Sequence, residues 1–259
     1  FQMRSLLEVK TVEACRKETY SIYIQPKVDA KTLKICGGEA LLRWFDEDGT
    51  MIPLSSYLPV LNENSYIRYV DQMVFERVCA MIQESIQKGM RMVPISFNLS
   101  KASFEDEPFM KEYIELFQQF DIPKEYIEFE LLESISMDNS NKLYKVVDTI
   151  HKAGFRCALD DFGSGYSSMS VLAKVPIDII KLDRSLFQNP YRKEDTFLIV
   201  DGLLAILQHF PVQIVAEGVE DERVAEHLRQ RGCDMIQGFY YYHPMPMDEF
   251  QRLLAKQEA

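Results

Sequence analysis

Histidine and cysteine, the commonest zinc ligands, are sparse in this 259-residue chain. The four histidines (His151, His209, His227, His243) show no ligand spacing. Without paired His or Cys ligands there is no zinc-type site to read. The five cysteines (Cys15, Cys36, Cys79, Cys157, Cys233) are dispersed, with no CxxC pair. An odd, scattered set fits a reducing compartment and mostly buried free thiols, so a cytoplasmic location is expected. Basic residues are also short, 29 against 40 acidic, giving a net charge of −11. That argues against a broad nucleic-acid-binding face, though not against a small phosphate ligand held through metal ions. No hydrophobic run is long enough to cross a bilayer and no signal peptide is evident, so direct membrane contact by this segment is not expected. There is no Gly-rich phosphate loop and no GxSxG elbow, which points to metal-activated water rather than a covalent enzyme intermediate. No Pro/Gly/Ser linker divides the chain. It reads as one domain over 1–259, and its opening on Phe1 suggests a domain excised from a longer protein that could itself be membrane-anchored.

What is present is alternation. Eight short runs rich in Ile, Val, Leu, Phe and Tyr read as strands: 22–28, 35–44, 93–99, 127–132, 156–160, 177–183, 213–217 and 235–241. Several are apolar on both faces, as in a covered sheet. Between them lie amphipathic segments. Residues 66–88 place Ile67, Val70, Val74, Val78 and Ile82 on one stripe, and 141–153 and 221–231 each stop at a glycine. Strand–helix alternation of this length predicts a TIM-like (β/α)8 barrel. The link between 28 and 35 is too short for a helical crossover, so the first two strands are expected to be antiparallel.

Polar residues interrupt these strands near their C-terminal ends, where a barrel of this type builds its site. They are Glu39, Asn98, Glu130 with Glu133, Asp160 with Asp161, Lys181 with Asp183, Glu217 with Glu220, and Gln237. Singly, each has a bland reading. The Asp160–Asp161 pair is an acidic loop start before a Gly/Ser-rich turn, Lys181 a snorkelling surface lysine, and Gln237 a partner for buried backbone. Together they are costly to bury unless paired or bound to metal. A set of carboxylates and one carboxamide favours Mg²⁺ or Mn²⁺. At a strand end the backbone can turn both Asp160 and Asp161 toward one site, with one carboxylate bridging two ions.

In this order the motifs closely resemble the EAL domain family of cyclic di-GMP phosphodiesterases. The name-giving triplet stands as Glu39-Ala40-Leu41, and the likeness runs from Tyr23-Ile24-Gln25-Pro26 to His243-Pro244-Met245-Pro246. The resemblance implies hydrolysis of cyclic di-GMP to linear pGpG with two divalent ions, Mg²⁺ or Mn²⁺. It implies Glu39, Asn98, Glu130 and Asp160 as ligands of a first ion. Asp160, Asp161 and Glu217 would hold the second. Lys181 would stand beside the attacking water, its bland alternative being an ion pair with Asp183 or Asp161. Glu133 would hold the loop after the Asp pair. Gln25, Arg43 and Gln237 would contact substrate, Arg43 at a phosphate, with Asp183 and Glu220 as acids of an outer site. A homodimer through a helical face is also implied.

Departures from the family pattern are Leu132 where Thr is usual, Asn62 for Glu, Ser65 for Gly, and His243 for Arg or Lys; none removes an implied ligand. Two other readings compete. One is a catalytically silent domain acting as a cyclic di-GMP receptor or regulatory module. The other is a metal-dependent barrel lyase acting on a keto acid, which leaves the ordered motifs unexplained.

Overall fold

The computed structural model describes residues 2–17, 19–105, 109–133, 140–164, 169–187 and 193–257. Eight strands close a barrel: β1 (Ser21–Asp29), β2 (Ile35–Phe45), β4 (Ile95–Asn98), β5 (Ile127–Leu132), β6 (Arg156–Phe162), β7 (Ile179–Leu182), β8 (Gln213–Ala216) and β9 (Met235–Ile236). Neighbours from β2 through β9 are parallel, and β1 runs antiparallel between β2 and β9 to complete the closure. The expected barrel and its antiparallel first pair are therefore present. Two short strands decorate it: β3 (Met51–Ile52) pairs with β2, and β10 (Met245–Pro246) with β1.

Several expected strands are shorter than their apolar runs (93–99 pairs as Ile95–Asn98 and 177–183 as Ile179–Leu182), and 235–241 is shortened most. The run 235–241 pairs only at Met235 and Ile236, because the chain turns away at Gly238.

Helices wrap the barrel. They are α1 (Gln2–Lys17), α2 (Leu54–Glu63), α3 (Ile67–Gln87), α4 (Lys101–Glu105), α5 (Phe109–Phe117), α6 (Ser140–Lys152), α7 (Met169–Leu172), α8 (Lys193–Leu207), α9 (Glu222–Gln230) and α10 (Met247–Lys256). The apolar stripe of α3 is buried as its period requires. Its Phe75 packs edge-to-face on Phe97 and Tyr113 and stacks on Phe129, between helix and barrel. Ser65, between α2 and α3, has φ +60, the left-handed conformation that glycine adopts more easily. His209 meets the Ala205 carbonyl near a helix end at 2.8 Å. His151 differs: its ring pairs with Asp178 Oδ2 at 2.8 Å, a carboxylate that also accepts from the Cys157 backbone N–H.

Barrel strands alternate in facing, so one face of each strand lines the interior. Across β6 to β9 the lower interior is apolar, made by Ala158, Ile179, Val215 and Met235. Across β1, β4 and β5 it is polar, made by Lys27, Ser96 and Glu128. This second half departs from the expected apolar strands.

Helix α3 also steadies the segment after Asn98. Asp71 is buried, and its Oδ2 accepts from the Ser100 backbone N–H at 3.0 Å and from Ser103 Oγ at 2.6 Å. Burial pushes the Asp71 carboxyl up to about 6, against the lowering effect of those hydrogen bonds. A folded-state value above the unfolded one means stability is greatest at low pH and falls as pH rises through about 6. Wild-type protein should lose roughly 1 kcal/mol between pH 5 and pH 7 that Asp71→Asn does not lose. Denaturant unfolding of both proteins at the two pH values checks this; parallel pH dependence would show that Asp71 does not titrate there.

Candidate active site

The strand register brings the polar strand ends into one mouth. Glu39 of β2 lies beside Ser96, Asn98 of β4 opposite Glu130 of β5, and Leu132 opposite Asp160 of β6. Lys181 of β7 lies opposite Val215, one turn of the pleat below Glu217. The Lys181 side chain is fully buried, and four carboxylates converge on its ammonium. Glu130 Oε2 and Glu217 Oε1 lie at 2.5 Å, Asp160 Oδ1 at 3.1 Å and Glu39 Oε2 at 3.4 Å. The bland alternative for Lys181, a pair with Asp161 or Asp183, is not what forms.

Glu39 is held at both oxygens. Asn98 Nδ2 donates to Oε1 at 3.0 Å and Gln237 Nε2 to Oε2 at 2.7 Å. Gln237 Nε2 also donates to Gln25 Oε1 at 3.1 Å, and Gln25 Nε2 reaches the Tyr242 carbonyl at 3.3 Å. Gln237 therefore serves side chains of the site rather than buried backbone. Its Oε1 is buried with no hydrogen-bond partner among the described residues.

Adjacent aspartates normally face opposite sides of a strand. Here the β6–β7 register slips between Leu159 and Phe162, and Asp161 takes φ +59. That kink lets the second carboxylate turn toward the mouth. The Asp161 N–H donates to Asp160 Oδ1 at 2.9 Å. Glu133 is buried, and its backbone N–H donates to the Asp160 carbonyl at 3.0 Å, tying the end of β5 to the Asp pair. Of the loop that Glu133 is expected to hold, Gly163 and Ser164 are placed; residues 165–168 lie outside the described residues.

The outer residues are looser. Arg43 is half-buried, with its guanidinium 6.0 Å from the Tyr23 ring centroid and Nη1 donating to the Leu42 carbonyl at 2.8 Å. Asp183 caps a short turn by accepting from the Ser185 N–H at 3.0 Å. Glu220 is exposed just before Asp221, the N-cap of α9. Leu132 stands 41% exposed at the mouth, two residues above Glu130 on the same strand face. His243 stacks on Phe239 at 4.3 Å.

Sequence reasoning missed a second lysine. Lys27 of β1 is buried inside the barrel, with Nζ 2.7 Å from Ser96 Oγ, 3.1 Å from Glu130 Oε1 and 3.6 Å from Glu128 Oε2. The available signal was period: Lys27 lies two residues after Gln25, and Glu128 two before Glu130. Each therefore shares the interior face of a residue already singled out.

Proton affinities follow the packing. Burial pushes the Glu39, Asp160 and Glu217 carboxyls up, helped by the neighbouring acids and opposed by Lys181. Glu130 is different. Burial also works against its charge, but Lys181 and Lys27 together hold it down at about 2. Asp161, half-buried and facing Asp183, is raised.

Among the described residues, no three His, Cys, Asp or Glu side chains are already grouped as a metal-ion cage. The ammonium of Lys181 stands among the carboxylates instead. The donor chemistry nevertheless fits a hard divalent ion. Five interior carboxylates (Glu39, Glu128, Glu130, Asp160, Glu217) face three cations (Lys27, Lys181, Arg156), leaving negative charge to be balanced.

An eight-stranded barrel with an acid-lined mouth at its strand C-termini defines a (β/α)8 protein with an enzyme-like site. The sequence model of the EAL domain family matches residues 9–244. The signaling protein YkoW of Bacillus subtilis is 28% identical over 95% of this chain and 31% of its own length. The cyclic di-GMP phosphodiesterase PdeR of Escherichia coli is 28% identical over 95% of this chain and 37% of its own. Among solved structures, the phosphodiesterase of MucR, a Pseudomonas aeruginosa protein, in complex with c-di-GMP superposes with TM-score 0.86. It is 26% identical, covering 94% of this chain and 99% of that one. This chain belongs to the EAL domain family. It spans about a third of the length of the curated relatives it matches.

Gly238 locks the mouth together. A Cβ there would lie 2.1 Å from the Val219 carbonyl oxygen, and its φ is +159. The contact joins the segment after Glu217 to the segment after Gln237. Gly238→Ala should therefore destabilise the fold by at least about 2 kcal/mol, read by denaturant unfolding. An unchanged midpoint would mean the two segments separate freely.

Proposed function

We propose that this chain hydrolyses cyclic di-GMP, opening one phosphodiester bond to give linear pGpG. The observation that carries the reading is the convergence of Glu39, Glu130, Asp160 and Glu217 within 3.4 Å of the Lys181 ammonium, at the barrel mouth. Membership of the EAL family and the names of its relatives supply the substrate. We assign Glu39, Asn98, Glu130 and Asp160 to one divalent ion, and Asp160, Asp161 and Glu217 to a second, Mg²⁺ or Mn²⁺. Such ions would activate water and neutralise phosphate charge.

The chain's own groups do the rest. Asn98 commits its amide N–H to Glu39, leaving its carbonyl oxygen as the ligand atom. Lys181 carries a fixed positive charge deep in the mouth and can donate to the attacking water or to a phosphoryl oxygen. The Gln237 oxygen offers a buried acceptor to a substrate N–H. Gln25 orients Gln237, and Arg43 at the rim suits a phosphate. Asp183 and Glu220 border the outer side, and Glu133 anchors the Asp pair through its backbone.

Purified protein with Mg²⁺ or Mn²⁺ should convert cyclic di-GMP to pGpG, resolved by chromatography. Glu39→Ala should lower turnover on the order of 100- to 1,000-fold. Binding of cyclic di-GMP without turnover, at saturating metal, would instead assign the domain to reception.

We also propose that the domain pairs with a second copy in a reducing, cytoplasmic compartment, as one folding unit over 1–259. The outer face of α8 carries Leu198 and Ile199, exposed 72% and 61%, with Ile206 further along the helix. Contiguous apolar surface of this kind suits a protein contact. No described helix is long and apolar enough to cross a membrane. Leu198→Glu combined with Ile206→Glu should convert a dimer to a monomer in sedimentation, without lowering thermal stability. A wild-type monomer at high concentration would remove the pairing.

A further inference from the structure

The barrel interior holds a column of alternating charge that continues well below the mouth. Arg156 Nη1 donates to Glu128 Oε1 at 3.0 Å at the lower end. Glu128 Oε2 faces Lys27 Nζ at 3.6 Å. Lys27 donates to Glu130 Oε1 at 3.1 Å, and Glu130 Oε2 meets Lys181 at 2.5 Å. Two roles are open to Lys27. It could merely neutralise the buried Glu128, or it could act on Glu130. The geometry separates them. Glu128 already has Arg156 as a hydrogen-bonded cation, and its distance to Lys27 exceeds a hydrogen bond. The two hydrogen bonds of Lys27 go to Ser96 Oγ and Glu130 Oε1. Ser96 in turn donates to the Gly38 carbonyl at 3.3 Å, which fixes the anchor to the strand carrying Glu39.

We propose that Lys27 is a positioning residue for Glu130: clamped by Ser96, it holds Oε1 and so fixes Oε2, on the Lys181 side, as the oxygen offered to a divalent ion. This rests on the metal-dependent reading above. The mechanism is a hydrogen bond to a ligand's inner atom, the arrangement that commonly sets metal affinity from behind the ligands.

Simple electrostatics and positioning predict opposite signs. Removing a nearby positive charge should tighten cation binding, whereas releasing Glu130 should weaken it. The test is Mn²⁺ titration of the purified wild type, Lys27→Met, Glu128→Gln and the double variant Lys27→Met/Glu128→Gln. Calorimetry gives the Kd and thermal unfolding of the metal-free proteins gives stability. Lys27→Met should raise the Mn²⁺ Kd roughly ten- to hundredfold. The KM for cyclic di-GMP at saturating metal should change little. Glu128→Gln, which leaves the Lys27–Glu130 bond intact, should stay within about twofold of wild type. The double variant, which removes the excess buried negative charge that Lys27→Met leaves behind, should recover stability while its Kd stays raised. It also supplies a folded protein where Lys27→Met alone is too unstable to titrate. A Kd in the double variant that recovers together with stability, or an unchanged or tighter Kd in Lys27→Met, would overturn the proposal. A wild type that binds no Mn²⁺ would remove the metal reading and this inference with it, whereas wild-type binding with an indifferent Lys27→Met removes this inference alone.

Discussion

Lys181 sits with no exposed surface inside a barrel, and its ammonium is within 3.4 Å of four carboxylates. Much of the molecule follows from keeping that arrangement intact. A lysine in an apolar interior is tolerable only when its charge is compensated, and acids crowded at that depth are tolerable only around a cation. The acids come from β2, β5, β6 and the end of β8, so barrel closure itself brings them together. β9 contributes Gln237 through a chain that must turn sharply at Gly238, where the Val219 carbonyl leaves no room for a Cβ. β6 delivers two acids instead of one because Asp161 adopts a left-handed backbone and the register slips there. The strain of a non-glycine residue in that conformation, of order 1–3 kcal/mol, is located where it redirects a functional side chain.

The mouth was legible in the sequence because it obeys two simple rules. Strand–helix alternation forces a barrel, and barrel sites sit at strand C-termini. Asn98, Glu130, Asp160, Lys181, Glu217 and Gln237 lie at or next to such ends, Glu39 lies mid-strand in β2, and all meet in the structure. The antiparallel β1–β2 pair was legible from a linker too short to cross the barrel. What sequence could not supply was partnership. Lys181 lies near Asp183 in the chain, yet its side chain points inward while Asp183 turns to cap a 3₁₀ turn. Chain proximity misled there because the strand ends between the two residues.

The lower half of the barrel was less legible for a different reason. Lys27, Glu128 and Arg156 sit within or at the edge of runs that read as apolar strands. Interior and exterior faces look alike when the exterior is also covered by helices. Only the period-2 relation to Gln25, Glu130 and Asp160 marks these three as interior. The same ambiguity hid the contrast between the two sides of the barrel floor, ionic across β1, β4, β5 and Arg156 at the start of β6, and apolar across the rest of β6 to β9.

That asymmetry divides the acids into two kinds. Glu130 stands over the ionic side, between Lys27 and Lys181, and is held ionised at about 2 despite its burial. Asp160 and Glu217 stand over the apolar side, share Lys181 with Glu39 and Glu130, and are pushed toward the protonated form. Glu130 is therefore the acid whose charge the chain compensates with two hydrogen-bonded lysines. In this barrel the surroundings of each acid are set beneath the site, by which strands place charge and which place hydrocarbon under each carboxylate.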